Sequence, residues 1–289
     1  YSQPVLPGAL RFGEILTLLK VKTVAFVGNH TSVINHTNTI DSLLSLGINV
    51  VRIFSPEHGF RGVADAGEEV NNSVDSVTGL PVISLYGNYK KPSKEDVKGI
   101  DVIVFDIQDV GVRFFTYIST MHYVMETCAE NNIPIIVLDR PNPNGYYIDG
   151  PVLKPQFKSF VGMHQVPIVY GMTIGEYAQM VNGEGWLAGG KRCKLTVISC
   201  TGYTHNSKID LPVRPSPNLP NALSVQLYPT LCLFEGTVIS VGRGTEYPFQ
   251  VIGHPEFLVQ TFTFKPQSIP GVCKIPLYLV KTCYGVDLR

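Results

Sequence analysis

Short, unbroken apolar runs alternate with helical patterns through the first two-thirds of the chain. Thr23-Val-Ala-Phe-Val27, Asn49-Val-Val-Arg-Ile-Phe54, Pro81-Val-Ile-Ser-Leu-Tyr86, Asp101-Val-Ile-Val-Phe105 and Pro134-Ile-Ile-Val-Leu138 each read as a strand, with Lys194-Leu-Thr-Val-Ile-Ser199 as one more. Their apolar residues are continuous rather than alternating, the mark of parallel strands covered on both faces. The spacing predicts a helix over 39–46, stopped at Gly47, and an amphipathic helix over 117–130. A further helix opens at Thr173, whose hydroxyl can cap while Glu176 completes a capping box. These elements predict an α/β fold, a Rossmann-like doubly wound parallel sheet. No G-x-G-x-x-G follows a strand, so a dinucleotide is not implied.

The character changes near Asn206. Leu211-Pro-Val-Arg-Pro-Ser-Pro-Asn-Leu-Pro220 holds four prolines in ten residues and reads as a linker or rigid loop. Residues 1–205 are therefore expected to form the N-terminal domain. Residues 206–289 form a smaller C-terminal α/β domain, expected to be incomplete. Composition adds exclusions. With 44% hydrophobic and 16% charged residues the chain is globular, and 23 basic residues offset 23 acidic ones. Nucleic acid and anionic membranes are accordingly not expected as partners. The longest apolar runs fall far short of the ~18 residues a membrane helix needs. The opening residues Tyr1-Ser-Gln-Pro4 show no targeting segment; one was removed or the sequence begins downstream of it. No two of the six cysteines stand in C-x-x-C spacing. They read as small buried hydrophobes, with Cys273 and Cys283 able to pair across a hairpin.

In an open parallel sheet, ligands bind outside the carboxyl ends of the strands, and polar residues follow each run here. The first strand leads to Asn29, His30, Thr31 and Ser32, and the second to Glu57 and His58. The third leads to Tyr86 and Asn88, the fourth to Asp106, Gln108, Asp109 and Arg113, and the fifth to Asp139, Arg140, Asn142 and Asn144. Five successive strands delivering such residues to one rim mark a functional site. Pro56 and Gly59 fix the turn that carries Glu57, which suits a general acid/base. His58 reads as a structural, substrate-contacting or metal-ligating residue. Asp106 and Asp109 would point to opposite faces in extended geometry, so one is expected to face the cleft and the other to cap the following helix. Asp139 and Arg140 read either as an internal ion pair or as substrate contacts. Gly242-Arg-Gly244 either lets Arg243 approach an anion or makes a turn. Trp186, Tyr203 and Tyr228 could stack on a sugar or fill the core.

Five motifs carry a family resemblance: Val27-Gly-Asn-His-Thr-Ser32, Ser55-Pro-Glu-His-Gly-Phe-Arg-Gly62, Phe105-Asp-Ile-Gln-Asp-Val-Gly-Val-Arg113, Leu138-Asp-Arg-Pro-Asn-Pro-Asn-Gly145, and Glu235-Gly-Thr with Gly242-Arg-Gly-Thr-Glu-Tyr-Pro-Phe249. Together they resemble the DUF1343 family, whose characterised activity is that of an exo-β-N-acetylmuramidase, a peptidoglycan hexosaminidase. The resemblance runs over nearly the whole chain. It implies a Rossmann-like catalytic domain, a smaller C-terminal domain and a cleft between them. Family members continue beyond the point where this chain ends, so part of the second domain is expected to be absent. Relatives often read Asn-Gln-Thr-Ser where this chain has Asn29-His30-Thr31-Ser32. The resemblance implies Glu57 as the leading catalytic carboxylate, a bacterial cell-wall substrate and export to the periplasm or medium, with no cofactor.

The leading expectation is a glycoside hydrolase that releases terminal N-acetylmuramic acid (MurNAc) from peptidoglycan fragments. One alternative is a metal-dependent hydrolase using Asp106, Asp109 and His58; another is a non-catalytic muropeptide-binding protein. Asn29, Thr31, Ser32, His58, Gln108, Asp139, Asn142 and Glu246 are candidate substrate contacts. MurNAc carries a lactyl carboxylate, so a cation is expected, from Arg61, Arg113, Arg140 or Arg243. Glu57, its pKa raised by partial burial, would protonate the leaving oxygen. One of Asp106 or Asp109 would serve as nucleophile or base, or would orient the substrate's own N-acetyl group for attack.

Overall fold

The computed structural model describes residues 4–57, 59–61, 72–258 and 261–289. They divide into two compact units, one of described residues up to Ile209 and one of Asp210–Arg289. In the first the chain runs α1 (Phe12–Leu19), β1 (Thr23–Gly28), a hairpin of β2 (Val33–Ile34) and β3 (Thr37–Asn38), α2 (Thr39–Ser45), β4 (Asn49–Ser55) and β5 (Ser73–Val74). It continues through β6 (Pro81–Ser84), β7 (Val102–Asp106), α3 (Tyr117–Asn131), β8 (Ile135–Leu138), α4 (Ile174–Gly183) and β9 (Leu195–Ile198). Seven strands form one sheet in the order β5-β6-β4-β1-β7-β8-β9. All pairs are parallel except β5 with β6. The antiparallel edge was not legible in the sequence, because β5 is two exposed residues with no apolar signal.

β1, β7 and β8 are buried along almost their whole length, which explains their unbroken apolar runs. On one face Val24, Phe26, Val102, Val104, Ile136 and Leu138 pack with Ile15 and Leu19 of α1 and Ile40 and Leu43 of α2. The other face is covered from α4, where Gly175 abuts Val197 and leaves no room for a Cβ. The sheet is therefore doubly wound. Thr173 accepts from Glu176 N at 3.2 Å while Thr173 N donates to Glu176 at 2.8 Å, the expected capping box. The helix expected to be amphipathic, α3, differs: every residue from Tyr117 to Cys128 except Tyr123 is buried, including His122 and Glu126. Its polar residues face protein partners rather than water.

The chain builds from β1 outward through β4 to β6, then returns to the far side of β1 with β7. A switch point of this kind opens a crevice beyond the strand ends. Gly28 stands opposite Asp106 and Ser55 opposite Ser84, so the residues after these strands share one rim.

The second unit holds α5 (Ala222–Leu231), capped by Asn221 and Ser224, and an antiparallel sheet of β10 (Val251–His254), β11 (Phe262–Phe264) and β12 (Cys283–Asp287) in the order β10-β12-β11. Val251, Phe264 and Cys283 form its small core with Tyr247, Phe262 and Tyr278. Cys283 is a free buried thiol, so the hairpin disulfide with Cys273 does not form.

Candidate active site

The middle of the rim is cross-braced. Asp106, wholly buried at the end of β7, accepts from Arg140 Nε at 2.5 Å, Arg140 Nη2 at 2.9 Å and Thr39 Oγ1 at 2.6 Å. Ser32 donates to the Asp106 backbone carbonyl and receives Asn29 N at 2.9 Å. Asn29 Oδ1 takes both Thr31 N (2.8 Å) and Thr31 Oγ1 (2.6 Å), and Thr31 Oγ1 in turn accepts Gln108 N at 3.0 Å. Arg140 thus pairs with Asp106 and not with its neighbour Asp139. Asp139 is instead tied to the start of α4, accepting from Thr173 Oγ1 at 2.9 Å and Gly175 N at 2.7 Å; burial raises its pKa.

Two expectations are corrected here. Both Asp106 oxygens are engaged by Arg140 or Thr39, and the bidentate guanidinium neutralises the carboxylate, which makes it a poor nucleophile or metal ligand. A metal site built on Asp106, Asp109 and His58 loses its first ligand, and among the described residues no group of three His, Cys, Asp or Glu is placed to hold a metal. His58 lies outside the described residues. Gln108, Asn142 and Arg113 also bind the framework. Gln108 Nε2 donates to the Asp109 and Pro141 carbonyls at 2.7 and 2.8 Å, and Asn142 Nδ2 to Met172 O at 2.8 Å. Arg113 donates to Pro151 O at 3.0 Å and to Val166 O. Asn142 packs over Gly111, where φ is +75° and a Cβ would stand only 2.3 Å from the Asn142 carboxamide oxygen, so a side chain is excluded.

The margin of the rim is differently made. Glu57, half-buried after β4, accepts a hydrogen bond from Tyr86 Oη at 3.1 Å. Burial, with the Glu57 charge second, pushes the Tyr86 phenol up to about 12. Asp109 is 3% exposed. Its Oδ2 accepts from Gly111 N at 2.7 Å and from Tyr170 Oη, while Oδ1 is buried with no hydrogen bond. Burial pushes this carboxyl up to about 6, against the pull of those donors. Asp109 does not cap α3, which begins after Thr116. Tyr117 links the two carboxyls: burial raises its pKa most, and the charges of Glu57 and Asp109 both act on it. Beside it stands Asn29, whose carboxamide acts directly on the Tyr117 phenol. One buried acceptor, Asp109 Oδ1, thus stands unsatisfied, and such groups are uncommon unless something binds them.

The remaining candidates lie elsewhere. Arg61 is held by Asp75 (2.7 and 2.9 Å) and Asp41 (3.2 Å). In the second unit Arg243 pairs with Glu235 at 2.5 Å and lies 5.1 Å from the Phe249 ring centre, while Glu246 is exposed. Gly242-Arg-Gly244 is a turn, with φ +78° at both glycines and Thr245 N closing on Gly242 O at 3.1 Å. Tyr228 is core, set edge-on to Phe249, and Tyr203 Oη contacts Asn142 O at 3.4 Å. Trp186 stacks on His164 at 5.3 Å. Sequence reasoning missed Tyr117 and Tyr170, and also the buried pair His122 and His164. The only available signal was His122 and Glu126 standing one helical turn apart.

A family model for the N-terminal domain of exo-beta-N-acetylmuramidase NamZ matches residues 24–223, and one for its C-terminal domain matches residues 226–289. The peptidoglycan beta-N-acetylmuramidase NamZ of Bacillus subtilis (strain 168) is 46% identical over 257 residues, 83% of this chain and 61% of that protein. The chain thus spans about three-fifths of the length of this curated relative. A crystal structure of a DUF1343 family protein from Bacteroides fragilis superposes with a TM-score of 0.92 at 49% identity, covering 99% of this chain and 77% of that one. A second DUF1343 structure from the same organism gives 0.86 at 35% identity, with 98% and 76% covered.

Proposed function

The chain belongs to the NamZ family, and on that footing we propose that it is a glycoside hydrolase releasing terminal MurNAc from peptidoglycan fragments. The observation that supports this most is the pairing of a half-buried carboxyl, Glu57, with a buried one, Asp109, around Tyr117. Cleavage of a glycosidic bond needs a proton on the leaving oxygen and relief of charge at the anomeric carbon. Glu57, reachable from solvent and fixed in its turn, delivers the proton. Asp109 is too enclosed to attack carbon directly, but its free Oδ1 can accept the N–H of the substrate's acetamido group. That hydrogen bond aims the acetamido oxygen at the anomeric carbon, the substrate-assisted route. The Tyr117 hydroxyl and the Asn29 carboxamide beside it are polar contacts for the same sugar.

The lactyl carboxylate needs a cation, and the four arginines weighed from the sequence already serve carboxylates or backbone carbonyls. Lys90 takes the role instead. It lies four residues beyond Tyr86, with its ammonium 5.1 Å from the Phe160 ring centre and no carboxylate partner among the described residues. The substrate is cell-wall material, so the protein works in the periplasm or outside the cell.

The test is Glu57→Gln assayed on an unactivated MurNAc-containing disaccharide. Turnover should fall ~10²–10⁴-fold while saccharide binding persists by calorimetry. Near-normal turnover would remove Glu57 from the mechanism. A nitrophenyl glycoside is the wrong probe, because its leaving group hardly needs the proton.

A further inference from the structure

Trp186, the one tryptophan of the chain, has no part in the proposed chemistry. It stands half-buried just after α4, where its backbone N–H closes on Val181 O at 3.0 Å. The indole lies against the His164 imidazole, with 5.3 Å between ring centres and 15° between ring planes. The two rings line a cavity of about 150 Å³, roughly the room that one six-membered ring needs. The remaining walls come from the hairpin that carries His164, residues 149–169. Asp149 and Val169 exchange backbone hydrogen bonds at 3.1 and 2.9 Å, and Leu153 N reaches Val166 O at 3.2 Å. Arg113 ties the base of this hairpin through Pro151 O at 3.0 Å, and Ser119 Oγ holds its tip through Phe160 O at 2.7 Å. His164 is fixed as well, 2.9 Å from both Tyr177 Oη and His122 Nδ1. His122 in turn meets Glu126 at 3.0 Å, and Glu126 takes Lys91 Nζ at 3.0 Å. The cavity is therefore preformed, which lowers the entropic cost of filling it.

The lining has a definite chemistry. Leu153, Pro155 and Met163 supply apolar walls. Lys158, Gln165 and Trp186 supply donors, and none of these three side chains has a hydrogen-bond or carboxylate partner among the described residues. No Asp or Glu is among the described residues that line the cavity. Burial pushes His164 down to about 3, so it is neutral, and the exposed Lys158 ammonium is the one formal charge on the lining. That charge stands near enough to act on His164. A cation and two neutral donors beside a flat indole suit a ring-sized molecule that carries a carboxylate. The cavity is separate from the proposed reaction centre, because three side chains intervene. His164 bonds to Tyr177, Tyr177 sits edge-on to Tyr170 with ring centres 4.8 Å apart, and Tyr170 donates to Asp109.

We propose that this cavity is an accessory saccharide site that takes a MurNAc unit, with the lactyl carboxylate on Lys158 and the pyranose ring beside Trp186. The choice of MurNAc rests on the glycosidase reading above; the cavity, its charge and its open donors do not. An enzyme that removes terminal sugars one at a time gains from holding another unit of the same strand, because tethering raises the effective concentration of the end to be cut.

With a single tryptophan in the chain, intrinsic fluorescence reports on this cavity directly. The experiment titrates the full chain with free MurNAc while tryptophan emission is followed. Emission should change saturably, and N-acetylglucosamine, which lacks the carboxylate, should require about tenfold more sugar. Lys158→Ala, a change at an exposed side chain that the fold tolerates, should weaken MurNAc about tenfold by the same signal. It should leave kcat and KM on a MurNAc-containing disaccharide within about twofold. A silent Trp186, a response that Lys158→Ala leaves unchanged, or equal affinity for the two sugars would overturn the proposal. Displacement of MurNAc by a lower concentration of D-alanyl-D-alanine would overturn it too, by making the cavity a peptide site. Free MurNAc needs no turnover, so the two readings fail separately. A parent that is inactive on the disaccharide yet answers at Trp186 loses the glycosidase reading and keeps the site, whereas an active parent with a silent Trp186 loses the site alone.

Discussion

Asp106 closes β7 and Asp109 follows three residues later in the next loop, yet their surroundings are made differently. Around Asp106 each polar group is answered: a guanidinium lies flat against both oxygens, and threonine and serine hydroxyls close the remaining gaps. Around Asp109 one oxygen is held and the other is left bare. The lesson is that burial and a carboxylate do not by themselves mark a reactive group. A charge neutralised by a bidentate arginine is framework, whereas an incompletely satisfied one is held ready for something that arrives later.

The largest way to break this contrast is Arg140→Ala. It would strand the Asp106 charge in the sheet, and the loss should be ~3–5 kcal/mol, read from urea unfolding. Asp109→Asn should behave in the opposite sense. The folded protein holds the Asp109 proton more tightly than the unfolded chain does. That contribution is therefore fully present below about pH 4, declines as pH rises to about 6 and is lost above it. The variant should gain on the parent by up to about 3 kcal/mol between pH 4 and 7 in thermal scans across pH. A parent whose stability is flat over that window would place Asp109 with Asp106 in the framework. Lys90→Ala should raise KM for a MurNAc glycoside about tenfold, roughly 1.4 kcal/mol, and leave the matching N-acetylglucosamine substrate unchanged. Equal losses on both sugars would assign Lys90 a general binding role. The smallest expected effect is the stability change in Glu57→Gln, within ~0.5 kcal/mol by the same unfolding assay, because the half-buried side chain braces little of the fold.

Much of the sheet was legible because β1, β7 and β8 are buried on both faces and are apolar except at their ends. The Thr173–Glu176 box was legible because both partners are local in sequence. The rim was legible as a rim, since strand ends in a parallel sheet must fall on one side. The partners on it were not. Adjacency suggested Asp139 for Arg140, but the guanidinium reaches across β8 to the end of β7, a pairing that exists only once those strands lie side by side. Periodicity also misread α3. His122 and Glu126 look like a solvated face until His164 and Lys91 arrive from elsewhere in the chain to cover them.

The strand order has a consequence for synthesis on the ribosome. β1, β4 and β6 can assemble as soon as they emerge, but β7, which covers the other side of β1, is made later. At the usual ~5–20 residues per second, Thr23-Val-Ala-Phe-Val27 presents a bare, mostly apolar strand edge for several seconds. A nascent chain in that condition is open to pairing with its neighbours on a polysome. Overproduction should therefore be limited by losses during translation, and slowing initiation, which spaces the ribosomes apart, should recover more soluble protein than any change to the finished surface.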